Sequence, residues 1–124
     1  MKFPAICENH LFAKAYSKGK RYVTERVAVY LLPDYAARRL AKAHPEHTVV
    51  NRLGLTVSKK LGSAVARNRT KRILREGYRA ATRETPIRPG HLIVIAARER
   101  AVTAKSPEIA RDLVRAFRKL ELTV

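Results

Sequence analysis

The chain has 124 residues, 46% of them hydrophobic, and carries 27 Lys and Arg against 10 Asp and Glu, a formal net charge of +17. That length sets a single domain, residues 1–124, with a modest core, and the hydrophobic share excludes a disordered tail. The charge selects a polyanionic partner, nucleic acid before membrane, because no apolar run approaches the roughly 20 residues that cross a bilayer.

The amino-terminal "MKFPAICENH" lacks the apolar core of a signal peptide, and Cys7 stands alone, so a reducing, cytoplasmic setting is expected. "ENHLFAKAYSKG" puts Leu11, Phe12, Ala15 and Tyr16 on one face of a first helix that Gly19 stops. "YVTERVAVYLL", Tyr22 to Leu32, has the β-branched and aromatic content of one strand. "PDYAARRLAKAHPEH" reads as a long loop with a short helical turn. "RLGLTVS" alternates Leu53, Leu55 and Val57 with Arg52, Gly54 and Thr56, the pattern of a half-buried strand.

The "KKLG" turn follows, and Ser63 is placed to cap a helix running to about Thr82, with Val65, Ala66, Ile73, Leu74, Gly77, Tyr78 and Ala81 as its apolar side. "TPIRPG" breaks it. "HLIVIAA" reads as a strand buried on both faces. "SPEIARDLVRAFRKLEL" reads as a closing helix with Ser106 as N-cap, Pro107 at N1, and Ile109, Leu113, Ala116, Phe117 and Leu120 turned inward. The order predicts an α+β fold, a two-layer sandwich of a small mixed sheet and about three helices.

Asn68, Lys71 or Arg72, Arg75 and Arg79 recur at steps of three or four, so they line one face of the central helix. Between Lys59 and Arg83 nine basic residues meet a single acid, Glu76. Like charges so spaced destabilise an isolated helix by a few tenths of a kcal/mol per pair, which tertiary packing or a bound polyanion must offset; a solvated charged face is the other reading, and the scarcity of acids favours phosphate binding. A helix-turn-helix DNA reader needs a partner helix before its recognition helix, and here a strand and a turn precede it. RNA is read through phosphates, 2′-OH groups and stacking on rings. Phe12, Tyr16 and Tyr30 offer such rings, core packing being their other reading.

The stretch "RLGLTVSKKLGSAVARNRTKRILREGYR" resembles the protein component of bacterial ribonuclease P. Lys59, Lys60, Gly62, Ala64 and Val65 match its turn, and Arg67, Asn68, Arg69, Lys71, Arg72 and Arg75 match its helix. "ENHLFAKAYSKGKRYV" and "PGHLIVIAAR" extend the likeness towards both ends, although Pro33–His47 looks longer than the family's usual connection. The resemblance implies a protein subunit that assists a catalytic RNA, with Mg²⁺ held mainly by that RNA, in removing the 5′ leader of precursor tRNA. It implies RNA binding by Lys59, Lys60, Arg67, Asn68, Arg69, Lys71, Arg72 and Arg75, to which the helical spacing adds Arg79. It further implies a leader cleft of Phe12, Tyr16, Tyr30, Lys71 and Arg75, and a left-handed β-α-β crossover against the usual hand.

No catalytic or metal-binding residue is expected on the protein itself. The ten acids are dispersed, with no D-x-D or E-x-D pair to hold two ions. His44 and His47, three apart in "HPEH", make at best a zinc half-site. The alternative to a ribonuclease P subunit is a structural ribosomal protein, equally small and basic but with no need for a substrate cleft.

Overall fold

The unbroken apolar run of β4 (His91–Ala97) makes it the strand around which the fold is built, with a neighbour on either side. The computed structural model describes residues 5–6, 9–44 and 50–124. In chain order these form α1 (Asn9–Lys18), β1 (Lys20–Val23), β2 (Val27–Pro33), α2 (Tyr35–Ala43), β3 (Arg52–Thr56), α3 (Ala64–Glu84), β4 and α4 (Ser106–Lys119). The sheet runs β1-β2-β4-β3; β2 is antiparallel to β1 and β4, and β3 is parallel to β4. α3 is therefore the crossover of a β3-α3-β4 unit, the unit for which the resemblance implies the left hand.

Strand alternation sends Val27, Val29, Leu31, Ile93 and Ile95 into one core with Leu74, Tyr78, Leu113 and Phe117 from α3 and α4. Sheet and helix pair are the two layers of the α+β sandwich. Within it α3 packs over β3 and β4, and α4 over β1 and β2. The opposite face carries Leu32, Leu92 and Val94, on which α1 lies through Ala15, Leu11 and Phe12.

Four local readings are corrected. The single strand expected over Tyr22–Leu32 is the β1–β2 hairpin, whose turn is made by a side chain: Thr24 Oγ1 accepts from the Arg26 and Val27 N–H groups at 3.3 and 3.1 Å. The expected loop after Pro33 holds a nine-residue helix, α2, because Asp34 caps it by accepting from Ala37 N at 3.2 Å. α4 starts one residue earlier than expected, with Lys105 as N-cap, because the Glu108 carboxylate accepts from the Lys105 N–H at 3.0 Å. On α3, Ser63 is the cap as read, but Val65 is 80% exposed and Thr70 takes an inward place, its hydroxyl bonded to Ala66 O. Cys7 and His47 lie outside the described residues.

Candidate nucleic-acid interface

The basic helix is set up by its turn. Ser58 accepts from Lys60 N, Gly62 takes a φ of 139° that side chains disfavour, and Ser63 caps α3 through Ala66 N at 3.2 Å. Lys59 and Lys60 are exposed in this turn. Thr70, Ile73, Leu74, Gly77, Tyr78 and Ala81 are buried, so the helical period turns Asn68, Arg72 and Arg75 outward, with Arg79 half-buried on the same side. Burial holds the Tyr78 phenol up at about 12, and its ring meets Phe117 edge-on at 6.1 Å.

The flanks of α3 differ. Arg69 donates from Nη1 to Val102 O at 3.0 Å, on the side where Gly77 meets Ile109 of α4. Arg67, Lys71 and Arg75 fall on the other flank, away from α4 and over the β3 edge of the sheet. Arg67 keeps its Nε–H buried without a hydrogen-bond partner among the described residues.

Across the sheet, the three aromatic residues come together. Phe12 stacks on bare backbone: a Cβ at Gly54 would lie 2.6 Å from Phe12 Cε1. Register places Gly54 opposite Val94, Val94 opposite Tyr30 and Tyr30 opposite Arg21, so all four lie in one row on the α1 face. Tyr16 meets Tyr30 edge-on at 4.8 Å and shares a hydrogen bond of 2.8 Å with Thr56 Oγ1. Tyr16 is 40% exposed, so the aromatic surface is open. Thr56 ends β3, and α3 begins eight residues later, at Ala64. Lys71 and Arg75 thus stand on the opposite side of the sheet from the aromatic face, on the flank of α3 that lies towards β3.

Arg21, Gly54 and Thr56 were not among the sequence candidates. The alternation of "RLGLTVS" had placed Gly54 and Thr56 on the side facing away from the main core; only strand pairing shows that this side holds the aromatics. Acids are drawn elsewhere. Arg26 pairs with Glu108 at 2.8 Å and Asp112 at 3.2 Å, Arg52 with Asp34 at 2.8 Å, and Arg100 with Glu25 at 3.0 Å, all off α3. Among the described residues, no three His, Cys, Asp or Glu side chains come together as a metal cluster. No described helix is long and apolar enough to cross a membrane.

The sequence profile of the family described as Ribonuclease P matches residues 2–121. The chain is 30% identical over 124 residues to the ribonuclease P protein component of Clostridium acetobutylicum, covering 100% of this chain and 94% of that one. With the protein component of Alkaliphilus metalliredigens the identity is 31% over 115 residues, 93% of this chain and 91% of that one. The solved RNase P protein of Staphylococcus aureus superposes with a TM-score of 0.75 at 27% identity, covering 99% of this chain and 100% of that chain. The RNase P protein of Thermotoga maritima shares the fold, with a TM-score of 0.68 at 22% identity over 90% of this chain and 92% of that one.

Proposed function

The chain belongs to the Ribonuclease P protein family, and we propose from that premise that it is the RNA-binding subunit of an endoribonuclease whose catalytic groups reside in its RNA. It uses α3 and the Lys59–Lys60 turn to hold the catalytic RNA, and the aromatic face to hold the single-stranded 5′ leader of precursor tRNA. The observation that carries this reading is that β3 is flanked by an exposed basic helix on one face of the sheet and by an open aromatic surface on the other. Fixed cations suit backbone phosphate, and rings suit unpaired bases of any sequence. Membership sets aside the ribosomal alternative.

Arg67, Asn68, Arg69 and Arg72 contact the catalytic RNA, and Arg79 extends that surface. Lys71 and Arg75 neutralise phosphates where the leader passes the β3 edge of the sheet. Phe12, Tyr16 and Tyr30 stack leader bases, with Arg21 adding a cation beside Tyr30. The protein contributes no catalytic residue and no metal ligand. Asp34, Glu25, Glu108 and Asp112 are already engaged by arginines, which suits a division in which Mg²⁺ is held by RNA. Screening of phosphates by α3 then lowers the Mg²⁺ concentration the RNA needs. The test compares affinity for precursor and mature tRNA, with and without this protein on a bacterial ribonuclease P RNA. Preference for the precursor that appears with the protein and vanishes in Tyr16→Ala/Tyr30→Ala supports leader binding; equal affinity for both tRNAs sinks it.

A further inference from the structure

α1 lies across the sheet as a divider. Tyr16 looks to the Thr56 end, whereas Lys14 reaches to the other side, its Nζ 5.2 Å from the centre of the Tyr35 ring on α2. On that other side the ends of β2 and β4 open a pocket of about 600 Å³. Its cations are Lys18, Lys20, Arg38 and Arg88, its rings are Tyr35 and His91, and its one described acid is Glu121. Leu31, Leu32, Pro33 and Pro89 give it an apolar floor.

This pocket is held in shape by bonds to backbone. The Asp34 carboxylate, 1% exposed, caps α2 and takes two hydrogen bonds from Arg52 of β3, at 2.8 and 3.2 Å. Arg38 donates from Nε to Gly90 O at 3.0 Å and reaches His91 Nε2 with Nη2 at 3.3 Å. Because a guanidinium only donates, His91 Nε2 accepts and Nδ1–H is directed at Arg88 O, 3.2 Å away. The segment carrying Arg88 is tied to the chain end through Arg88 N to Leu122 O at 2.8 Å. The guanidinium of Arg38 is therefore set before any ligand arrives, and Lys18 and Lys20 flank it from the α1–β1 junction.

We propose that this pocket is a second single-stranded RNA subsite, taking the part of the precursor leader that lies beyond the segment stacked on the aromatic face. An exposed ring, an apolar floor and four cations against one acid are the combination that holds a nucleotide by its base and its phosphate. The pocket and the Tyr16–Thr56 contact lie on different sides of α1, so a strand that occupies both crosses this helix, whose diameter with side chains is about 10–12 Å. The proposal rests on leader binding as read above and adds a dependence on leader length.

The experiment uses the reconstituted holoenzyme and two precursors, one whose leader ends within the aromatic face and one extended by several unpaired nucleotides. Lys18→Gln/Lys20→Gln/Arg88→Gln and, separately, Tyr35→Ala are made; Arg38 is left in place because it pins the fold. The expected result is a several-fold loss of affinity for the long-leader precursor, none for the short one, and unchanged affinity for the catalytic RNA. Equal affinity of wild type and variants for the long-leader precursor overturns the proposal. So does an equal loss on both precursors, or a loss of catalytic-RNA binding, which assigns the pocket to that RNA instead. Tyr16→Ala/Tyr30→Ala is the control: it weakens both precursors if the leader reading holds, and its failure to do so faults that reading rather than the pocket.

Discussion

Phe12 rests on Gly54 because only hydrogen fits between its ring and the β3 backbone, and this contact fixes the height of the aromatic surface. Gly54→Ala pushes a methyl into the ring, with an overpacking cost of about 1–3 kcal/mol. Leader binding is expected to fall while catalytic-RNA binding persists; urea melts and separate titrations with precursor and with catalytic RNA check both halves. Asp34 works at the same scale on stability. Burial pushes its carboxyl up, but hydrogen bonds from Arg52 and Ala37 N–H and the charges of Arg52 and Arg38 outweigh that and hold it below the ordinary carboxylate range. A depressed folded pKa gives stability that is present above the unfolded value of about 3.9 and is lost as pH falls through the folded one. Asp34→Asn is thus expected to melt lower than wild type near neutrality, with the gap closing in strong acid, as thermal melts across pH will show. Neither contact was readable in the sequence, since each joins residues distant along the chain, Phe12 with Gly54 and Asp34 with Arg52.

At the scale of elements, α3 carries stability and binding on opposite sides. A Cβ at Gly77 would come 2.5 Å from Ile109 Cγ2, so this glycine sets how closely α3 and α4 approach. Gly77→Ala gains about 1 kcal/mol of helix propensity yet is expected to lose about 1–3 kcal/mol net through that clash. Arg72→Ala, on the exposed side, should leave stability within about 0.5 kcal/mol and weaken RNA binding. Paired denaturation and binding curves for the two variants separate the faces. α3, β4 and the inward stripe of α4 were legible because Ser63, the apolar run His91–Ala97 and the Ile109–Phe117 period are local signals. The β1–β2 turn was not, because Thr24-Glu25-Arg26 holds no Gly, Pro or Asn, and the Thr24 hydroxyl makes the turn. α2 was hidden because its alanine-rich, charged sequence buries no residue of its own; Lys14 on the Tyr35 ring and Arg52 on Asp34 tie it down instead.

For the whole molecule, a net charge of +17 coexists with a stable fold in which three of the described acids, Asp34, Glu108 and Asp112, are engaged at joints between elements. Arg26 ties the hairpin to α4, Arg52 ties β3 to α2, and α3 is left with its cations for an outside partner. Binding should accordingly weaken steeply with salt, each neutralised phosphate contributing about 0.7–0.9 to the slope of log affinity against log salt. Replacing Arg72 and Arg75 by Ala should lower that slope by about 1.4–1.8 if each meets one phosphate, a change that titrations at several salt concentrations read directly. Net charge alone gave the class of partner. The assignment to ribonuclease P came from the ordered turn-and-helix motif, and the resemblance implied a common cleft for the three aromatics; the strand pairing and the α1 contacts show how Gly54 and Tyr30 bring them onto one face.

The measurement that reaches the central claim most directly is cleavage of a precursor tRNA at low Mg²⁺ by a bacterial ribonuclease P RNA. It is run alone, with this protein, and with Arg67→Ala/Arg69→Ala/Arg72→Ala, whose fold is checked by its melting curve. The account predicts strong stimulation by the wild-type protein and its loss in the folded triple variant. Absence of stimulation with a cognate RNA, or stimulation that survives the three substitutions, contradicts the claim that α3 is the contact through which the protein serves that RNA.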